Sequence, residues 1–216
     1  NKIAALDEIV ESYGRWITNP GNPDAPGIEQ IAATLSDRHS KVAAHHLAQC
    51  KEAYQRMKAG LQTLLENDKA YGAFLLANRA MLMQRIHMSI QSQESLPDNP
   101  ELQSYMAALD YYHSEAYYPV AREPAWRPFQ LAFLLMSVNS IVNPELPERD
   151  LVDLIWFPTG GGKTEAYLGL TAFTIFYRRM AYSGESGGTT VIMRYTLRLL
   201  ASQQFVRAGT LICACE

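Results

Sequence analysis

Cysteine is scarce: three residues in 216, Cys50, Cys213 and Cys215, with none in a C-x-x-C pair. That number and spacing exclude a disulfide-stapled secreted scaffold and fit a reducing cytoplasm. Cys213-Ala-Cys215 offers two thiolates with no further ligands nearby, so helix packing is its better reading than half a metal site. Long hydrophobic runs are lacking too. The longest, residues 166–177, is broken by Gly169, Thr171 and Thr174 and falls short of the roughly 18 residues of a membrane span. No signal peptide is expected from the opening residues, and no membrane partner is expected. An excess of charge is also missing. Nineteen Lys and Arg face 22 Asp and Glu, a net charge of −3, so any nucleic-acid contact must come from a local groove. The five histidines show no ligand spacing; His45 and His46 are adjacent and point apart on a helix. There is no initiator Met at Asn1, and residues 210–216 stop without a helix-ending Gly or Pro, so the chain reads as a piece of a longer protein.

What is present is the make-up of a globular protein, 48% hydrophobic and 19% charged. Residues 1–118 read as a helical accessory domain. Ile3, Leu6, Ile9 and Val10 recur at helical spacing until the Pro-Gly cluster at 19–23. A second helix is expected after Pro26-Gly27. A long amphipathic stretch runs from about 40 to 67, where Asn67-Asp68 marks a break and a new cap. The next helix carries Tyr71, Phe74, Leu75, Met81, Leu82 and Ile86, and a shorter one is expected over 101–113 after a polar loop. Tyr111, Tyr112, Tyr117 and Tyr118 read better as interdomain packing than as base-stacking platforms.

The chemistry sits in residues 151–164, LVDLIWFPTGGGKT. An apolar run, a glycine turn and a helix start are what a phosphate-binding loop requires. Gly160, Gly161 and Gly162 let backbone N–H groups curl round phosphate oxygens, with Thr159 leading into the turn. Lys163 adds a cation for the β- and γ-phosphates, and Thr164 a hydroxyl ligand for Mg²⁺. Phe157 stands where the strict G-x-x-x-x-G-K-[ST] pattern has glycine; the variant P-T-G-x-G-K-T is similar to the loop of superfamily-two helicases and translocases. Thirty residues before Gly160 lies Arg127-Pro128-Phe129-Gln130. In that superfamily an R-P-[FY]-Q sequence supplies a glutamine that reads the adenine edge, which an amide suits because it donates and accepts together. Trp126 or Phe129 would stack on the purine.

Strands are expected over 151–157 and 189–194, joined by a helix from Lys163 to about Tyr182, as in a doubly wound sheet. After the second strand, Arg194, Thr196 and Arg198 cluster where such sheets bind ligands, in position to hold nucleic-acid backbone phosphates. The fold class expected is therefore α/β: the helical domain, then residues 119–216 as an incomplete RecA-like parallel-sheet P-loop NTPase lobe.

The segments WRPFQLAFLL at 126–135, LIWFPTGGGKTEAYLGL at 154–170, VIMRYTLRLLASQQFVRA at 191–208 and LICACE at 211–216, with AFLLANRAMLMQ at 73–84, together resemble the DrmA helicase subunits of bacterial DISARM anti-phage systems. The resemblance implies a cytoplasmic two-lobed motor that couples ATP hydrolysis, with Mg²⁺, to movement on DNA. It implies action with a DrmB subunit and a DNA methyltransferase. Carried across, Gln130 reads adenine, residues 160–164 hold the triphosphate, and Arg194, Thr196 and Arg198 line the DNA path. No Asp-Glu pair follows the loop, and no arginine finger or second lobe is recognisable. Two other readings stand beside this one. One is a different P-loop ATPase or kinase; the other is a non-catalytic helical interaction module with a relic loop.

Overall fold

The computed structural model describes residues 2–19, 26–92, 125–156, 160–182, 184, 187–194 and 198–216. The chain divides into two compact units, residues 1–70 with 127–161, and residues 71–126 with 162–216. The boundary expected at 118/119, the helix expected at 101–113 and the tyrosine cluster all lie outside the described residues.

In the first unit, α1 (Lys2–Thr18) buries Leu6, Val10 and Ile17 along one stripe. It ends at Asn19, whose positive φ of 31° is tolerated by few residues besides Asn, Asp and Gly. The short α2 (Ile28–Ala33) starts from Gly27, whose N–H donates to Gln30 Oε1 at 2.6 Å. The thirty-residue α3 (Asp37–Glu66) is the spine. Its partner in this unit is α5 (Pro128–Val142), which buries Leu131, Leu134, Leu135, Val138 and Val142. These follow the i, i+3, i+4, i+7 rule.

The α3–α5 crossing is close because Gly60 has no side chain: a Cβ there would overlap the Leu135 carbonyl. One turn on, the Thr63 hydroxyl donates to Asn139 Oδ1 at 2.9 Å. Gly14 of α1 plays a similar part beneath the Tyr54 ring, 2.7 Å from where a Cβ would stand. The Tyr54 hydroxyl donates to Glu11 at 3.0 Å; burial first, and this carboxylate second, push its pKa up. After α5, Pro144 forbids continuation and a 3₁₀ turn (Pro147–Asp150) leads into residues 151–156.

In the second unit α4 (Asp68–Ser92), from Tyr71 onward, buries a small-residue stripe, Ala73, Ala77 and Ala80, with Phe74, Met81 and Ile86. Trp126 is wedged into this unit. Its indole N–H donates to Asn78 Oδ1 at 2.7 Å, and its ring lies over Gly169, where a Cβ would stand 2.7 Å from the ring edge. Gly169 belongs to α6 (Lys163–Ala181), which also buries Ala166, Leu168, Ala172, Phe173 and Tyr177. The buried hydroxyl of Thr171 donates to Tyr167 O at 2.8 Å, so it is satisfied within the helix. The last helix, α7 (Arg198–Cys215), packs on α6 and buries Leu211 and Ala214. Among the described residues no helix is long and apolar enough to cross a membrane.

The expected parallel sheet is overturned. None of the described residues forms a strand, so they contain no RecA-like parallel-sheet lobe, and the described architecture is all-helical. Residues 151–156 are irregular, with Val152 96% and Trp156 89% exposed. A strand needs a neighbour for its N–H and C=O groups, and no described segment supplies one. Residues 151–156 are held instead by a side chain: Arg56 of α3 forks both Nη atoms onto the Asp153 carboxylate at 2.7 Å. This contact, above all, raises the Arg56 pKa. Residues 189–194 are irregular as well. There Arg178 of α6 donates to Thr189 O at 3.1 Å and Thr190 Oγ1 at 2.9 Å. The apolar runs that read as buried strands are thus tethered loops.

The crossing at Gly60 makes a sharp test. Gly60→Ala should cost about 3 kcal/mol or more, because backbone must move to admit the methyl group. Gly209→Ala in α7, with open space around its Cβ position, should be neutral or stabilise by up to about 1 kcal/mol. Urea unfolding of both variants checks the contrast; equal effects would mean that the crossing is not close.

Candidate nucleotide-binding loop

The glycine turn is built from backbone that other residues resist. Gly160 has φ 79° and Gly162 φ 87°, ψ 27°, both left-handed. Nothing lies within 4 Å of a Cβ at Gly160, so conformation rather than space calls for glycine there. Gly162 is the N-cap of α6, with no side-chain hydrogen bond capping it. Lys163 and Thr164 open the helix and are partly exposed. The amino end of a helix favours negative charge. Glu165, also in that turn, is ion-paired with Arg207 of α7, whose own pKa burial pushes down.

The amino end of α5 reaches this turn within the first unit. Arg127 is the N-cap of α5, Pro128 occupies the first turn, and the Arg127 Nη1 donates to Gly161 O at 2.9 Å. Gln130 is 4% exposed, and its Oε1 accepts the Arg127 backbone N–H at 2.8 Å. The glutamine that the sequence assigns to adenine therefore also stabilises the start of its own helix. Phe129, beside it in the first turn, is half-buried.

The expected site residues are placed as follows. Gly160, Gly161, Arg127, Phe129 and Gln130 belong to the first unit, and Gly162, Lys163 and Thr164 to the second. Thr159 and Thr196 lie outside the described residues. Arg194 is exposed on the irregular segment before α7, and Arg198 is the first residue of α7, its side chain undescribed. Trp126, a stacking candidate in the sequence, is taken up by Asn78 and Gly169.

Sequence reasoning missed three roles. The capping by Gln130 was signalled by its spacing, Pro at the first helical position and Gln at the third. The Arg127–Gly161 bond and the Glu165–Arg207 pair join residues 34 and 42 apart, and no local pattern marks them.

No family model matches the chain. In an alignment of 221 positions that covers 99% of the chain, it is 40% identical to DISARM protein DrmA of Bacillus paralicheniformis. The chain is homologous to a segment of DrmA. It spans 17% of the length of that relative. The similarity to DrmA runs through the helices of both units as well as the glycine turn, since it covers nearly the whole chain.

Among the described residues of this DrmA relative, no group of three or more His, Cys, Asp or Glu stands close enough to hold a metal ion. Burial instead pushes the Cys215 thiol up to about 11 from its usual 9, against a smaller opposite pull from Arg179. The folded chain keeps a proton that the unfolded chain releases. This contribution to stability is present below pH 9 and is lost as pH rises toward 11. Alkylation of Cys215 in the folded chain should stay slow through pH 9 and accelerate only near pH 11. A midpoint near that of a free thiol would refute its burial.

Proposed function

We propose that this chain is part of an ATP-dependent DNA helicase or translocase subunit of a bacterial DISARM anti-phage system, working in the cytoplasm. The observation that carries the proposal is the glycine turn: two left-handed glycines leading into a helix with no side-chain cap that begins Lys163-Thr164, in a chain 40% identical to DrmA. Such a turn fits a polyphosphate because it concentrates backbone N–H groups at a helix start. Lys163 neutralises phosphate charge, and Thr164 gives a hydroxyl to Mg²⁺. Bound ATP supplies the phosphoryl group whose transfer drives movement. Gln130, Arg127 and Phe129 form the purine side, with Thr159 and Gly160 to Gly162 around the phosphates. Arg194, Thr196 and Arg198 hold the DNA backbone, giving affinity without sequence readout. A DrmB-like subunit and a DNA methyltransferase complete the assembly.

One observation favours a second reading. The described residues are all helical, as suits an interaction module with a relic loop. The two readings separate in the full-length protein. Lys163→Ala should abolish ATP hydrolysis and weaken nucleotide binding at least tenfold, since a lysine–phosphate contact of this kind contributes about 1.5–3 kcal/mol. Arg198→Ala should weaken DNA binding while leaving nucleotide affinity nearly intact. Nucleotide affinity indifferent to Lys163 selects the interaction module. The 216-residue chain alone should hydrolyse ATP negligibly, because phosphoryl transfer depends on an Asp-Glu pair and an arginine finger, and no Asp-Glu pair follows the loop in this sequence. Rapid turnover by that chain would refute the assignment of its missing parts.

A further inference from the structure

We propose that Arg207 is a positioning residue that keeps the amino end of α6 receptive to a polyphosphate by neutralising Glu165, without itself touching the ligand. The proposal rests on the reading of that helix start as a polyphosphate site, and both residues lie in the second unit. Glu165 is the third residue of α6, directly after Lys163 and Thr164. It stands about 3 Å further along the axis than Lys163. A carboxylate in the first turn suits the helix, because it faces the positive end of the dipole. It is adverse to a bound anion, because it cancels the charge of Lys163 and repels phosphate oxygens. Folding of α6 and anion binding therefore make opposite demands on this position.

Arg207 reconciles them. Its guanidinium pairs with the Glu165 carboxylate, and the two side chains are 25% and 36% exposed, so solvent screens the pair only in part. Burial lowers the Arg207 pKa, but an arginine remains charged at neutral pH. Lys163 and Glu165 alone leave the first turn neutral; Arg207 restores a net positive charge. The arginines of α6 itself, Arg178 and Arg179, occupy its last turn, at the opposite end from Glu165. The neutralising cation comes instead from α7, which packs on α6 and buries Leu211 one turn beyond Arg207. An arginine already engaged by a carboxylate acts on an anion through that carboxylate.

The test uses the full-length protein, with ATP, GTP and inorganic tripolyphosphate as probes. Arg207→Ala should weaken all three to the same extent, by about tenfold, because it leaves an unpaired carboxylate beside the phosphates. Glu165→Gln, which removes that charge, should bind each probe within about threefold of wild type or tighter. The double variant decides the matter. Arg207→Ala combined with Glu165→Gln should recover to within about threefold of Glu165→Gln alone. A double variant as weak as Arg207→Ala would trace the loss to direct contact or packing and overturn the proposal. Unchanged affinity in Arg207→Ala overturns it too. If the alanine variant loses its thermal unfolding transition, Arg207→Gln takes its place, with the same loss and the same recovery expected. Failure of the polyphosphate reading looks different: wild type would not bind tripolyphosphate, or Lys163→Ala would bind it as tightly as wild type does.

Discussion

A missing methyl group at Gly60 governs the first unit. It lets the α5 backbone at Leu135 come against α3, closer than any side chain would permit. Because α5 is set by that crossing, both of its ends are set too. Its amino end carries Arg127 to the Gly161 carbonyl, and the chain beyond its carboxyl end returns to α3 through the Arg56–Asp153 fork. Burial of Leu131, Leu134, Leu135 and Val138 supplies the driving force, on the order of 2 kcal/mol for each large side chain. Thr63 and Asn139 add direction rather than strength.

The second unit solves the same problem with an aromatic. Trp126 fills the hollow that Gly169 leaves on α6 and satisfies its indole N–H on Asn78 of α4. Small residues on one element thus receive bulk from another in both units, carbonyl backbone at Gly60 and an indole at Gly169. The glycine turn works on a different principle. There the absent side chain frees backbone dihedrals instead of space, as the open surroundings of Gly160 demonstrate.

Freedom of that kind has a cost, since a turn that can adopt one shape can also leave it. The fold answers with contacts to the backbone and to the helix that follows. Arg127 holds a carbonyl, and Arg207 pairs with Glu165 in the first turn of α6. Both are arginines, whose several N–H donors stay charged even where burial pulls the pKa down, as at Arg207.

The helices and their breaks were legible in the sequence because their causes are local. The period of Ile3, Leu6, Ile9 and Val10, the stop at Asn19, the start after Gly27 and the division at Asn67-Asp68 are decided within a few residues, and the helices follow them. The glycine turn was legible for the same reason. The segments 151–156 and 189–194 were not, because an apolar run carries no record of whether a neighbour exists to complete its hydrogen bonds. Those groups are satisfied or exposed by what lies far away in sequence, here Arg56 and Arg178 rather than a ladder. The residue types of the candidate site were thus read from sequence alone. Which of them grip backbone, which cap a helix and which pair with a distant charge was decided by tertiary structure, since each depends on contacts between residues tens of positions apart.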